Sequence, residues 1–535
     1  MTTWTHDPSH YPEPMSPLSA DVWFASMGHG IRAAASELRA PFGGFETMTT
    51  QGGWAYEQDL EPAWEPDFAR LEQAALDVAT RWERELRPAC WAITDELRAM
   101  RPERHPPDEA VPQLDRLVEI VREQWRLHFL VVIPVHAARE LLHDAWVERF
   151  GKGDELEPYR LIEGLPNETL DADEELWRVG ELARTLDVAD VVLELPPEAA
   201  LARLAQTQHG RQVLHALDAY LLRFGGRSRL HELFEPRDAE RPELVLESVR
   251  LMLDHPRNLE AERADRERRR DELENEALAQ LDEPDRAAFA RLLERVRAAV
   301  PLEETHAYHI DYPGLQATRE ALLGFGRRLV AEGRLDAVAD VFMLRLDELR
   351  EAVADAWGAP LRALTAGRAD ELREARAQAP EPWLGDPPDP DAEVPPVVAK
   401  FYGVPGTAEW DGEVLRGTPA SAGRAVGTAR VIRGAADFGR LEAGDVLVCP
   451  TTTPAWTPLF PSAAALVTDT GGILSHAAIV AREYGLPAVV GCKVATSAIR
   501  DGARVEVDGE AGQVTVRAAR DGRSSTRSPR MSSAD

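Results

Sequence analysis

The feature that most constrains the fold is one stretch, residues 465–491, which reads ALVTDTGGILSHAAIVAREYGLPAVVG. It opens with a short apolar run typical of a buried strand, and paired glycines then allow a tight turn. Ser475 predicts a helix N-cap, which places His476 in the first turn of a helix that ends at Gly485. The stretch therefore predicts a strand, a glycine turn, a helix and a second strand.

The position of His476 suggests a chemical role. Free N–H groups and the positive end of the helix dipole favour anions such as phosphate at a helix start. Neutral imidazole is a nucleophile near neutral pH and can form covalent intermediates. The pattern indicates a histidine that accepts a phosphoryl group and passes it on. From local chemistry alone, the alternative is a capping or packing histidine in an ordinary strand–turn–helix.

Composition narrows the class of protein. The net charge is -31, from 92 acidic and 61 basic residues. This balance argues against a generic nucleic-acid binder and favours a soluble cytoplasmic protein. The chain has no apolar run of about 18 residues, so we expect no membrane span. Its three cysteines, far apart and odd in number, predict neither a zinc pattern nor a disulfide framework.

Changes in pattern along the chain predict several domains. Apolar residues recur at helical spacing from residue 67, proline-rich acidic sequence follows residue 378, and strand-like segments begin near residue 415. We predict a multidomain protein with a mostly α-helical N-terminal body and a C-terminal α/β domain. The predicted parts are an irregular segment packed on the body (1–58), the helical body (59–378), a proline-rich linker (379–404), the α/β domain (405–517) and a disordered tail (518–535).

The helical body contains a segment suited to chemistry, residues 302–314, with the sequence LEETHAYHIDYPG. It groups Glu303, Glu304, His306, His309 and Asp311 with two tyrosines. This composition allows a metal site, or a general base with aromatic walls for an acceptor, although the spacing demonstrates neither.

Three further histidines occur in one stretch of the body, at His128, His136 and His143. They can line a pocket, but histidines that are satisfied or exposed are the more ordinary interpretation.

A longer stretch of the sequence around His476 resembles a known family of enzymes. The stretch TDTGGILSHAAIVAREYGLPAVVG resembles the phosphohistidine segment of the phosphoenolpyruvate-utilising enzymes, which include phosphoenolpyruvate synthase and rifampicin phosphotransferase. In that family a swivelling domain carries phosphate on a histidine between two distant sites. The resemblance implies that His476 is the carrier, with Thr468, Gly471, Gly472 and Ser475 in the phosphate loop. It extends more weakly over the helical body.

The resemblance also implies an activity and partners. It suggests a phosphotransferase, a kinase-type transferase, whose order of segments is similar to rifampicin phosphotransferase without its nucleotide-binding domain. The sequence contains no P-loop of the form GxxxxGK[ST]. We therefore expect a separate nucleotide-grasp subunit, using ATP and Mg²⁺, to charge His476. We expect the chain alone not to use ATP.

The acceptor is expected to bind to the helical body. We predict a small, apolar hydroxyl compound, with Arg227, Glu303, His306 and His309 as candidate acceptor-site residues. No metal site is assigned from the sequence. The alternative function is a non-catalytic regulatory or binding protein that retains the swivelling fold.

Overall fold

The N-terminal body consists mainly of helices. The structure, a computed structural model, describes residues 3–517 except 9, 152, 154–155, 228–231, 255–257, 388–399, 401–407 and 453. The α-helices are α1 Pro17–Ser19, α2 Ala25–Leu38, α3 Phe68–Arg81, α4 Arg87–Ala99, α5 Pro107–Phe150, α6 Glu157–Arg160, α7 Glu168–Thr185, α8 Ala189–Glu194, α9 Pro197–Leu204, α10 Gln208–Phe224, α11 Pro242–Asp254, α12 Leu259–Ala279, α13 Asp285–Ala299, α14 Leu302–His309, α15 Asp311–Ala331, α16 Leu346–Val353, α17 Leu361–Arg376, α18 His476–Glu483 and α19 Ala495–Ala498. The π-helical segments are Ala20–Phe24 and Trp82–Leu86, and the 3₁₀ segments are Pro102–Arg104, Asp238–Glu240, Val338–Met343, Ala435–Arg440 and Pro454–Ser462.

Local sequence signals account for several of these helices. Asp67 caps α3 by accepting a hydrogen bond from the backbone N–H of Arg70 at 3.0 Å. The apolar face predicted from residue 67 onward is buried at Val78, Trp82 and Leu86. The helical prediction for this region is confirmed.

The longest helix of the body, α5, contacts several of the other helices. α5 has 44 residues, contains Pro112 and Pro134, and packs against α2, α3, α13 and α14. Its buried residues contribute to two apolar clusters, one around Trp125 and one around Leu130. Because α14 packs against α5, residues 302–314 lie inside the body rather than on a free loop. This is the segment whose composition suggests a metal site or a general base.

Two sheets complete the fold. Their strands are β1 Trp4–His6, β2 Phe45–Thr49, β3 Ala55–Asp59, β4 Trp383–Leu384, β5 Val414–Arg416, β6 Thr418–Ser421, β7 Arg424–Val431, β8 Val446–Cys449, β9 Ala465–Thr468, β10 Ala488–Val490, β11 Arg504–Asp508 and β12 Gln513–Arg517. The four-stranded sheet has the order β2-β3-β1-β4, and the eight-stranded sheet has the order β5-β12-β11-β7-β8-β9-β10-β6.

The eight-stranded sheet forms the C-terminal domain, a name used here for described residues 408–517. The strands β7, β8, β9 and β10 pair in parallel, whereas the remaining pairs are antiparallel. All four residues of β8 are buried, and alternate residues enter different apolar clusters, so both faces of the sheet are covered. β11 and β12 form an antiparallel hairpin that turns after Asp508. A helical body followed by an α/β domain confirms the predicted fold class.

The N-terminal segment differs from its prediction as irregular chain. Residues 17–38 are helical throughout, as α1, the π-helical turn and α2. The prolines at 8, 12 and 14 precede this run, and Pro17 occupies a first-turn position, where its missing N–H has no helical partner to lose. The proline pattern therefore marks the start of a helix rather than forbidding one.

The predicted proline-rich linker contains a short strand. Within residues 379–404, Trp383–Leu384 forms β4 and pairs with β1 at Trp4 and Thr5. An aromatic and an aliphatic residue suit a strand, and β4 lies at a sheet edge where flanking prolines are tolerated. Most of the remaining linker and the predicted tail, 518–535, lie outside the described residues.

Cysteine chemistry and hydropathy add two findings. Cys90, Cys449 and Cys492 are buried and free. In the part of the chain that the structure describes, no helix has both the length and the hydropathy needed to cross a bilayer.

Candidate active site

The His476 loop, residues 468–475, is shaped by its backbone. Gly471 has φ +108°, and an added Cβ would lie 2.8 Å from the Ser475 hydroxyl oxygen. Ser475 is the N-cap of α18 and accepts a hydrogen bond from the backbone N–H of Ala478 at 3.3 Å. The loop therefore places His476 at the first position of the helix, as the sequence predicts.

Several hydrogen bonds hold the loop in place. The Thr468 hydroxyl donates to the carbonyl of Thr470 at 2.6 Å, which closes the turn after β9. The guanidinium of Arg482 donates to the carbonyl of Ile473 at 2.8 Å. These contacts fix both ends of the loop, so the imidazole of His476 begins from a defined backbone position.

The imidazole of His476 meets the helical body. Its Nδ1 lies 3.4 Å from Oε1 of Glu304, and the two side chains are only 16% and 11% exposed. Its other nitrogen, Nε2, is buried and has no hydrogen-bond partner among the described residues. When the ring is neutral, a carboxylate facing Nδ1 favours the tautomer in which Nδ1 carries the proton and Nε2 has the free lone pair.

Glu304 is held as an anion. Burial alone would raise the pKa of its carboxyl, but contact with His476, a hydrogen bond from Thr169 and the nearby charge of His306 lower that pKa to about 2. The Thr169 hydroxyl donates to Oε2 at 2.7 Å, so the two carboxylate oxygens have different partners. Glu304 is thus negatively charged throughout the physiological range.

Other contacts join the C-terminal domain to the body. The Tyr484 hydroxyl donates to the carboxylate of Asp173, and the backbone N–H of Gly164 donates to Oε2 of Glu483 at 2.9 Å. Ile473 and Leu474 pack within an apolar cluster of the body. The helix that begins at His476 is therefore docked on the body along its length.

Two carboxyl groups of this interface have raised pKa values. Burial raises the pKa of Asp173 to about 6, although Arg227 and Tyr484 oppose the shift. Burial and the neighbouring charge of Glu163 raise the pKa of Glu483 to about 7. The docked arrangement therefore favours the protonated form of Glu483.

The four predicted acceptor-site residues occupy different surroundings. Glu303 pairs with Arg139 and lies 3.1 Å from Nε2 of His136, so it takes part in a buried ion pair of the body. His309 lies beside the rings of Trp82 and Trp91, at 5.7 and 5.8 Å between centroids.

The other two predicted residues lie nearer the contacts described above. Arg227 is 3.8 Å from Asp173 and its guanidinium lies over the ring of Tyr308 at 5.1 Å. His306 has Nε2 at 3.4 Å from Asp311. The structure thus does not gather the four predicted side chains around one point.

Sequence reasoning missed the residues that contact the C-terminal domain. Glu304 was included in the 302–314 segment but not selected, and Thr169 and Asp173 carried no recognisable motif. The contact between Thr169 and Glu304 joins positions 135 residues apart in sequence. The alternation of acids and histidines in α14 is the only local signal that pointed to Glu304.

A second polar cluster lies in the body beside this interface. Nδ1 of His128 is 2.9 Å from Oδ1 of Asp311, and the rings of His128 and His306 have centroids 4.6 Å apart. The two imidazoles and burial act on Asp311 in opposite directions: burial raises its pKa, but the imidazoles lower it well below its usual range. The cluster is therefore a buried carboxylate between two histidines.

The fold and site together define a class of protein: a helical body on which an α/β domain docks by a helix that begins at a histidine. Residues 441–512 match the family described as PEP-utilising enzyme, mobile domain, and residues 128–304 match the rifampicin phosphotransferase fourth domain. These two matches confirm the predicted resemblance to the phosphoenolpyruvate-utilising enzymes, and they cover both sides of the docked interface.

Individual relatives agree with the family matches. A chondramide synthase of Chondromyces crocatus is 33% identical over 96% of this chain and 14% of its own length. The uncharacterized phosphotransferase YvkC of Bacillus subtilis is 31% identical over 77% of this chain and 50% of its own length. A rifampicin phosphotransferase of Streptomyces sviceus is 34% identical over 62% of this chain and 39% of its own length. This chain therefore spans half or less of these relatives.

Proposed function

We propose that this chain is a phosphotransferase component in which His476 carries a phosphoryl group to an acceptor bound by the helical body. The proposal is supported by one observation: the two nitrogens of the His476 imidazole lie in different environments. Nδ1 faces the Glu304 carboxylate at 3.4 Å, while Nε2 is buried without a partner among the described residues. An imidazole whose proton is held on one nitrogen has its nucleophilic lone pair on the other.

The proposed transfer has two balanced steps. The Nε2 lone pair attacks the terminal phosphorus of the donor, the N–P bond forms, and the bond from phosphorus to the leaving diphosphate oxygen breaks. An acceptor hydroxyl oxygen then attacks phosphorus, the N–P bond breaks, and the hydroxyl proton passes to a base while Nε2 recovers its lone pair. Glu304 stabilises the charge of the imidazole during both steps and keeps its orientation.

The donor side of the proposal rests on the family resemblance. We propose that ATP, with Mg²⁺, is bound by a nucleotide-grasp partner chain and that the C-terminal domain travels to it on the predicted linker. Phosphoryl transfer requires alignment of the phosphate and neutralisation of its oxygens, which such a partner supplies. The docked position of His476 on the body corresponds to the acceptor end of this movement.

The acceptor side is supported by a cavity in the body. A cavity of about 390 Å³ is lined by apolar, aromatic, basic and acidic side chains, among them Leu221, Phe224, Tyr308, Arg98 and Asp218. The hydroxyl groups of Tyr308 and Tyr312 are buried without a hydrogen-bond partner among the described residues. A cavity of this volume is within the range of small-molecule sites, and its mixed lining can contact both the hydroxyl group and the apolar part of a small compound.

The cavity is connected to the docked helix by direct contacts. Arg227 lies over Tyr308, Asp173 lies 3.8 Å from Arg227, and Tyr484, the residue that follows α18, donates to Asp173. These side chains must therefore move, or the acceptor must shift, before its hydroxyl oxygen can reach the phosphorus on His476.

The test uses a donor that needs no nucleotide site. Phosphoramidate transfers phosphate to reactive histidines directly, so the purified chain can be treated with it and analysed by mass spectrometry at neutral pH. We expect one acid-labile phosphate on His476, none there in His476→Ala, and unchanged labelling in the matched control His215→Ala, whose side chain is exposed. Labelling from ATP should require the added partner chain.

Three results would contradict parts of the proposal. Equal labelling of the chain and of His476→Ala would show that His476 is not the nucleophile. A chain that takes up phosphate but never releases it to a hydroxyl compound would instead favour a non-catalytic regulatory or binding role. Self-labelling of the pure chain with ATP would remove the need for a partner.

A further inference from the structure

Three potential metal ligands from three helices lie together in one cluster. This cluster, the His-His-Asp triad, consists of His128, His306 and Asp311. His128 belongs to α5, His306 to α14, and Asp311 is the first residue of α15. One ligand atom from each residue lies within 4.8 Å of the other two. We propose that the His-His-Asp triad binds a divalent transition-metal ion of the Zn²⁺ type.

The distances fit an ion of this size. Two ligands at about 2.0–2.1 Å from a tetrahedral Zn²⁺ lie about 3.3 Å from each other. The observed separations are 2.9 Å from His128 Nδ1 to Asp311 Oδ1, and 3.4 Å from His306 Nε2 to Asp311 Oδ2. An ion bound between these atoms would replace the proton that His128 Nδ1 donates to Asp311, and that proton would be released to solvent.

The hydrogen bonds of His306 orient it as a ligand. Its Nδ1 lies 2.8 Å from the carbonyl oxygen of Leu302, and because a carbonyl can only accept, Nδ1 must carry a proton. In the neutral ring, Nε2 then has a lone pair, and it is buried without a hydrogen bond while facing Asp311. A backbone carbonyl that fixes the tautomer in this way is a common outer partner of metal-binding histidines.

The surroundings of the triad resemble those of metal sites. The side chains of His128, His306 and Asp311 are 15%, 6% and 14% exposed. His128 also packs against the rings of Trp125 and Phe129, with centroids 5.0 and 4.8 Å away. An apolar shell around a polar donor set limits solvent access and strengthens the attraction between a cation and the carboxylate.

Two imidazoles and one carboxylate match the donor preferences of Zn²⁺ and its neighbours in the first transition row. Three protein ligands also leave a coordination position for a water molecule or a substrate oxygen.

Metal binding is measured directly on the full chain. After treatment with a chelator and removal of the chelator, the chain is titrated with Zn²⁺ by calorimetry, and its metal content is determined by elemental analysis. We expect one Zn²⁺ per chain, and affinity lower by at least about a hundredfold in His306→Gln and Asp311→Asn. The control His215→Ala, remote in sequence and exposed, should bind as the unchanged chain does.

Cobalt gives an independent readout on the unchanged chain. Co²⁺ in the triad should show the intense visible absorption of a four-coordinate ion and two paramagnetically shifted imidazole N–H resonances. If the variants do not fold, this spectrum alone decides. No bound Zn²⁺, a six-coordinate Co²⁺ spectrum, or equal affinity in folded His306→Gln would overturn the proposal and leave the triad as an ion-pair network. His476→Ala should bind Zn²⁺ normally, which separates this proposal from the proposed function.

Discussion

The two surfaces that meet at His476 are built in opposite ways. On the C-terminal domain, the His476 loop is formed by neighbouring residues and shaped by a glycine turn and a helix cap. On the body, the facing side chains come from distant helices, as the contact between Thr169 and Glu304 shows across 135 positions. The comparison teaches that the histidine is placed by local sequence, whereas its partner is placed by tertiary packing.

The two surfaces also differ in what stabilises them. The loop is held by hydrogen bonds between side chains and the backbone and by one conformation open to glycine, so its geometry depends mainly on steric fit. The body presents buried carboxyl groups, at Asp173 and Glu304, whose charge depends on the docked domain. Substitutions should therefore act through backbone strain on one side and through electrostatics on the other.

The largest expected effect comes from the loop. Gly471→Ala should lower the free energy of unfolding by about 4 kcal/mol, because an unfavourable φ and close contact with Ser475 add together. The matched control is Gly485→Ala, where φ is +57° and nothing lies within 4 Å of an added Cβ. It should cost only about 1 kcal/mol. Urea unfolding of both variants tests the difference, and equal losses would show that the loop is not sterically constrained.

The next effect concerns the interface carboxyl of Glu483. Burial and Glu163 raise its pKa to about 7 from an ordinary value of 4.5. Because the pKa is raised in the docked state, its stabilisation is complete below pH 4.5 and is lost as pH rises through 7. The loss by pH 8 should approach about 3 kcal/mol.

The matched variants for this effect are Glu483→Gln and Glu510→Gln, the second of which changes an exposed residue of the same domain. Thermal unfolding between pH 5 and pH 8 should show a weaker pH dependence in Glu483→Gln and an unchanged one in Glu510→Gln. The same pH dependence in the unchanged chain and in both variants would mean that the pKa of Glu483 is not raised in the docked state.

The smallest of the three effects concerns orientation of the histidine. Glu304→Gln retains the shape of the side chain but removes the charge that faces Nδ1. We expect phosphate uptake at His476 to slow roughly thirtyfold, equivalent to about 2 kcal/mol, the range for hydrogen bonds to charged groups. Rapid-quench measurements with phosphoramidate test this, with exposed Glu294→Gln as control. An unchanged rate would assign Glu304 a structural role only.

The same comparison explains what the sequence could predict. The strand, turn and helix around His476 follow from Gly471, Ser475 and Gly485, whose conformational preferences act within a few residues. The helical body and the α/β domain follow from the period of the apolar residues. The prediction of an irregular N-terminus is wrong for residues 17–38, because a proline in the first turn is compatible with a helix.

The facing side chains could not be predicted in this way. The sequence pattern groups Glu304 and Asp311 only as members of an acidic and aromatic segment, and it gives His128 no feature that distinguishes it from an ordinary histidine. The pairing of His128 with Asp311 joins positions 183 residues apart. No local pattern specifies such a contact, because it depends on how α5, α14 and α15 pack.

The central claim is that Glu304 holds the proton of His476 on Nδ1 and leaves Nε2 to accept phosphate. The most direct test is long-range ¹H–¹⁵N and ³¹P NMR of the ¹⁵N-histidine-labelled chain after phosphorylation. The account predicts phosphorus bonded to Nε2 of His476, with Nδ1 protonated. Phosphorus bonded to Nδ1 would contradict it, because that nitrogen could not then face the Glu304 carboxylate.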